Sequence, residues 1–190
     1  MKTPLMEYNK YCYRELYRFC KDNGFKYMAS LIIFSKNNGD STVKRLSVNY
    51  KDMVIIAKEI EKFEPIGKRK DYEEACGSLK YTLAIDSFGD VFPCNSFYYK
   101  VGNIKDESLS KIWENRKLKE IQNIKKEDLI ECASCYYKSK CSRCPGLAWN
   151  EDGSYLGCSS SAMLDAKLRL YFYDYKIKRK GKENEKEKGI

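Results

Sequence analysis

The residues best able to do chemistry in this chain are cysteines. Nine occur among 190 residues, and there is no histidine. Four fall within thirteen positions, Cys132-Ala-Ser-Cys135-Tyr-Tyr-Lys-Ser-Lys-Cys141-Ser-Arg-Cys144-Pro145, spaced C-x2-C-x5-C-x2-C-P. Cys76, Cys94 and Cys158 flank this knot. Thiolates are soft ligands and select zinc or iron–sulfur clusters over hard cations. The N-terminal residues lack the apolar core of a signal peptide, and the longest apolar run, Met28 to Phe34, is too short to span a bilayer. This points to the cytoplasm, where clustered cysteines bind metal rather than form disulfides. The odd number of cysteines also fits a disulfide framework poorly.

Zinc and iron–sulfur chemistry make different demands. A thiolate-bound zinc needs four ligands, which the knot alone could supply, but Cys76, Cys94 and Cys158 would then be idle. A zinc ribbon also wants roughly fifteen to twenty residues between its CxxC pairs. Only five separate Cys135 from Cys141. A cubane takes about four thiolates, so the seven cysteines fit one full site and one three-cysteine site. The Cys144-Pro145 pair adds a hint, because in two-cluster ferredoxins the cysteine before proline ligates the other cluster. On that logic Cys144 leaves the knot to join Cys76 and Cys94, and Cys158 completes the set of Cys132, Cys135 and Cys141. A structural zinc module that mediates protein contacts is the alternative.

The elements that must position these thiols follow from periodicity. Residues 7–22 predict a helix that stops at Asn23-Gly24, with Cys12 and Cys20 as core cysteines on it. Phe25 to Phe34 predicts a buried strand, 35–42 a loop, and 50–63 a helix with Met53, Ile56, Ala57, Ile60 and Phe63 as its apolar stripe. This is an α/β pattern. A hairpin is expected to turn near Gly89, between 81–86 and 90–93, with Asp86 and Asp90 as turn formers. A helix over about 107–122, a loop or loose hairpin from Gly146 to Gly157 around Glu151-Asp-Gly153 and a last helix over about 160–173 complete the reading.

The run from Cys76 through Gly89-x4-Cys94 to the knot and Cys158 resembles a SPASM domain, the auxiliary-cluster domain of peptide- and protein-modifying radical SAM enzymes. Ile-Asp-Ser-Phe-Gly-Asp-Val-Phe-Pro-Cys94, Val-Gly-Asn-Ile104 and Ser-Leu-Ser-Lys-Ile-Trp113 share that resemblance. Many members carry three residues between the third and fourth knot cysteines, where this chain has two. The resemblance implies two 4Fe–4S clusters: cluster I on Cys76, Cys94 and Cys144, and cluster II on Cys132, Cys135, Cys141 and Cys158. No cysteine lies in 77–93 to complete cluster I, which leaves one iron open to another ligand. Residues 1–64 resemble the last repeats of the partial (β/α) barrel of such enzymes, with Phe34 and Ser35 toward its active-site end. No CxxxCxxC motif is present, so S-adenosylmethionine would be used only in a full-length enzyme.

The expected organisation is therefore 1–64 as the C-terminal part of a barrel, 65–75 as a linker, 76–173 as a small α+β SPASM domain, and 174–190 as a disordered basic tail. Its expected function is auxiliary-cluster binding for electron transfer or substrate binding, with a ribosomal peptide or protein as substrate and a separate N-terminal radical SAM half as possible partner. No catalytic residue is identified. The formal charge of +9 argues less for nucleic acid than it first suggests, because 176–190 alone hold seven Lys/Arg against three Glu, or 7 − 3 = +4. Arg143, between two candidate ligands, reads equally as a hydrogen-bond donor to cluster sulfur or as a plain surface residue.

Overall fold

A computed structural model describes residues 1–63 and 74–172. Most of the expected linker, and the whole of the expected tail, lie outside the described residues. Two apolar cores organise the rest.

The first core is built on a β-α-β unit. Strand β1 (Lys2–Pro4) runs parallel to β2 (Met28–Ser30), with Lys2 opposite Met28 and Pro4 opposite Ser30. Helix α1 (Tyr13–Asp22) makes the crossover that a parallel pair requires. The helix starts later than residue 7 because Asn9 ties the preceding chain into turns. Its Oδ1 accepts from the Met6 N–H at 2.6 Å, and its Nδ2 donates to the Pro4 carbonyl. The strand is shorter than 25–34 because β1 offers it only three partners. That partner strand gave no alternation to read and contains a proline. At the other end of α1, Gly24 takes φ 71°, as its sequence predicts. Helix α2 (Tyr50–Phe63) forms where its apolar stripe predicts it. Leu5, Tyr13, Cys20, Ile32, Val48, Met53 and Ile56 are buried together. Leu168 and Phe172, from the last helix α7 (160–172), close the same core. The C-terminal helix thus packs back on the N-terminal unit.

The second core sits under a three-stranded antiparallel sheet of β3 (Ala84–Ile85), β4 (Asp90–Phe92) and β5 (Gly102–Asn103). The hairpin turns at Gly89, φ 88°, a conformation that favours glycine. Asp86 Oδ1 accepts from the Phe88 and Asp90 N–H groups at 2.9 and 3.0 Å, which is the turn-forming role its position implied. The expected helix over 107–122 is two helices, α3 (Leu109–Trp113) and α4 (Arg116–Gln122). Asn115 breaks it: its side chain accepts from the Lys117 N–H and donates to the Val101 carbonyl, so it starts a new helix instead of continuing the old one. The break lets Ile112, Leu118 and Ile121 all reach the core with Leu79, Val91, Phe97 and Val101. The short α5 (Ile130–Ala133) carries the start of the cysteine knot.

The segment expected as a loop after the knot begins with helix α6 (Pro145–Asp152). Pro145 opens it, where a missing N–H costs nothing, and Gly153 closes it at φ 72°. It is buried on several sides, at Gly146, Ala148 and Asn150, so it shows no apolar stripe by which sequence could find it. Among the described residues no helix is long and apolar enough to cross a membrane.

Candidate functional site

Each of the seven candidate cysteines is half-buried, and no disulfide joins any of them among the described residues. Cys76 begins a turn of 3-10 helix, Gly77–Lys80. It is fixed from behind by the Ala75 N–H, which donates to the Ile124 carbonyl at 3.0 Å. Cys94 leaves β4 in a tight turn: the Phe97 N–H donates to its carbonyl at 3.1 Å and the Ser96 N–H to its Sγ at 3.4 Å. Cys132 lies in α5, and Cys135 and Cys141 follow in successive turns. Cys144 is the N-cap of α6 in an extended conformation. Cys158 precedes α7, its N–H donating to Glu131 Oε2 at 2.8 Å.

These thiols stand in two neighbourhoods. Burial pushes the Cys94 thiol up, and the nearby Cys144 and Cys76 add to that. Burial likewise pushes up Cys141, with Cys132, Cys158 and Cys135 as its sulfur neighbours. Cys132 and Cys158 are raised chiefly by burial, each with Cys135 close by. Cys94 thus lies near Cys76 and Cys144, and Cys141 near Cys132, Cys135 and Cys158. Partly desolvated thiols hold their protons unless an electrophilic metal displaces them. Among the described residues, no three side chains close onto a single point tightly enough to clasp one ion.

The first neighbourhood exists because α6 lies against the Cys94 turn. A Cβ on Gly146 would stand 2.5 Å from the Ser96 carbonyl and 2.6 Å from Phe97 Cβ, so only glycine permits this approach. Asn150 then bridges the two segments, accepting from the Tyr98 N–H and donating to the Ser96 carbonyl, both at 3.1 Å. Trp149 Nε1 donates to the Tyr98 carbonyl at 3.1 Å. These contacts hold α6, with Cys144 at its N-cap, beside the Cys94 turn. Nothing in the sequence singled out Gly146 or Asn150; the Cys-Pro pair was the only local signal.

The second neighbourhood is tied together by charged groups. Glu131 holds the Cys158 backbone, as above. Arg143 is buried, with 8% exposure, which excludes the surface reading. Its Nε donates to the Gly157 carbonyl at 2.7 Å and a terminal nitrogen donates to the Tyr155 carbonyl. Its other terminal nitrogen, Nη1, is buried and has no partner among the described residues. Glu151 is a further hub. It accepts from Ser159 Oγ at 2.7 Å, the Ser161 N–H at 3.2 Å, the Ser161 hydroxyl and, at 3.4 Å, the Ser35 N–H. Lys44 pairs with it at 3.0 Å. Burial alone would push the Glu151 carboxyl up, but hydrogen bonds from Ser161, Ser159 and Lys44 outweigh burial and hold it below the usual range. Ser35 and Lys44 belong to the N-terminal unit, so Glu151 fastens the Cys158 segment to it. Cys158 also borders an open depression of about 480 Å³, with Glu131, Asp152, Ser160 and Met163 around it.

The donor set suits iron–sulfur clusters. It is all thiol, and the buried Arg143 leaves Nη1 without an acceptor among the described residues. Comparison with known proteins agrees. Residues 76–145 match the SPASM family, described as an iron–sulfur cluster-binding domain. The matched stretch holds every candidate cysteine except Cys158. A protein of Methanosarcina barkeri (strain Fusaro / DSM 804) named AdoMet-dependent heme synthase is 36% identical over 76 residues, which is 38% of this chain and 21% of that protein. The chain thus spans about a fifth of the length of that relative.

Proposed function

We propose that this chain, whose residues 76–145 match the SPASM iron–sulfur cluster-binding domain, belongs with the SPASM-containing radical SAM proteins and binds two 4Fe–4S clusters as an auxiliary module of a peptide- or protein-modifying enzyme. Cys76, Cys94 and Cys144 would hold cluster I, and Cys132, Cys135, Cys141 and Cys158 cluster II. The single observation that carries this reading is that Cys94 has Cys144 and Cys76 as neighbouring thiols, although Cys144 belongs to the knot in sequence and is far from Cys76 along the chain. When bound, such clusters supply one-electron chemistry and, at cluster I, an iron free of a fourth cysteine.

The chain's own residues have defined tasks. Gly146, Asn150 and Trp149 hold Cys144 against the Cys94 turn. Glu131 and Arg143 hold the backbone on which Cys158 sits. The open depression at Cys158 leaves cluster II within reach of an electron partner, and the open iron of cluster I would receive a substrate thiolate. Residues 1–64 would be the end of the barrel, a reading that the parallel β1–α1–β2 unit supports. A preceding radical SAM half, carrying the SAM-cleaving cluster, would pair with this edge. SPASM-like residues 76–173, a linker at 65–75 and a tail at 174–190 complete the proposed organisation, in a cytoplasmic protein. A second reading of the substrate is a heme precursor, favoured by the name of the Methanosarcina relative.

The test is anaerobic reconstitution followed by iron, acid-labile sulfide and zinc analysis. Iron and sulfide near eight of each per chain are expected for two cubanes. Stoichiometric zinc without sulfide would sink the proposal in favour of a structural zinc module. Perturbation of the cluster I spectrum by a thiol-bearing peptide, against a porphyrin precursor, separates the two substrate readings.

A further inference from the structure

Arg143 has an arrangement that a purely structural role does not explain. Two of its nitrogens hold the Tyr155 and Gly157 carbonyls and so fix the approach to Cys158. The third, Nη1, is buried and unpartnered. Among the described residues its hydrogen-bond partners are these carbonyls, with no carboxylate to balance the charge. A buried guanidinium without a counter-anion is strongly disfavoured. The thiols whose charge acts on it are Cys132, Cys144, Cys158 and Cys141. Three of these belong to one thiol neighbourhood, and Cys144 to the other. When ligated to a cluster, thiolates bring the missing negative charge, and sulfur brings the missing acceptor for Nη1.

Resting on the cluster-binding reading above, we propose that Arg143 is a positioning residue between the two sites, donating its Nη1–H to sulfur of the Cys132–Cys135–Cys141–Cys158 site and raising the reduction potential of both clusters. A fixed positive charge and a hydrogen bond to sulfur favour the reduced, more negative cluster. The effect is larger at cluster II, three of whose proposed ligands act on the guanidinium, and smaller at cluster I, of which only Cys144 does.

The experiment uses the full chain after anaerobic reconstitution, with redox titrations followed by electron paramagnetic resonance. Wild-type protein is loaded first; failure to take up iron and sulfide there refutes the cluster reading itself. With loaded wild type in hand, Arg143→Gln and Arg143→Lys are compared. Arg143→Gln is expected to lower the potential of cluster II most and that of cluster I less. Arg143→Lys, which keeps the charge but not the forked geometry, is expected to restore part of the shift. If cluster II fails to load in either variant, cluster I is still read, and a lowered potential there supports the proposal. Wild-type potentials in Arg143→Gln overturn it. Loss of all iron from both variants also overturns it, because the arginine would then be only a scaffold.

Discussion

In the first core Cys20 is fully buried in the same cluster as Leu5, Ile56 and Phe172, and Cys12 packs against that cluster. In the second region seven cysteines are half-buried, beside a core that Val91, Phe97, Ile112 and Leu118 already fill. One residue type therefore has two fates. A thiol enclosed by aliphatic side chains is a small hydrophobe. A half-buried thiol at the rim of a core keeps one side open to a soft metal. The helices differ in the same sense. α2 has fourteen residues and an apolar face to bury, whereas α3 has five and α5 four. Helices that short do not persist without tertiary support. Caps, Gly146, Arg143 and Glu131 supply some of it, and bound metal would supply more.

The sharpest way to break this contrast is to remove the metal. Chelation of the reconstituted protein should abolish amide-exchange protection over 109–133 while sparing much of 13–22 and 50–63. Equal loss in both regions would show that they are one cooperative unit. The next effect concerns single thiols. Cys144→Ala should remove about half of the iron and sulfide and spare the cluster on Cys132, Cys135, Cys141 and Cys158. Cys20→Ala should leave iron content unchanged; loss of the near cluster in Cys144→Ala would return the knot to a single site.

Glu151 joins the two regions, and its removal should be the largest effect on stability without metal. Glu151→Ala leaves the Ser159 and Ser161 hydroxyls without their acceptor and removes the ion pair of Lys44, and should cost about 3 kcal/mol in urea unfolding. Because its carboxyl is held below the usual glutamate value, its contribution is present above the unfolded value and is lost as pH falls through the folded one. Glu151→Gln should flatten that acid limb. Gly146→Ala should cost about 2 kcal/mol through overpacking against Ser96 and Phe97, and should weaken iron uptake at cluster I selectively. Smallest is the cost of Cys20→Ala, about 1 kcal/mol from a sulfur-sized cavity, read as a lowered Tm with intact iron.

Parts of the fold were legible because their signals are local. Gly89 and Asp86 announce a turn that needs only its own residues, and α2 carries an apolar stripe across its whole length. β1 and β5 were not legible, since strands of three and two residues show no alternation. The break at Asn115 was hidden because its second hydrogen bond goes to Val101, a partner that periodicity cannot see. α6 was read as a loop because burial on several faces erases the stripe that marks a helix.

By itself, the sequence determined the chemistry available: nine soft thiols, no imidazole, and a knot too compact for a zinc ribbon. Its resemblance to SPASM domains suggested a division of those thiols. Only the tertiary structure decided that Cys94 lies near Cys76 and Cys144, that Arg143 is buried with one nitrogen unpartnered among the described residues, and that Glu151 reaches across to Ser35 and Lys44. The reason is physical. Side-chain chemistry belongs to each residue, whereas proximity depends on how closely distant backbones approach, and here that hinges on a glycine packed against Phe97.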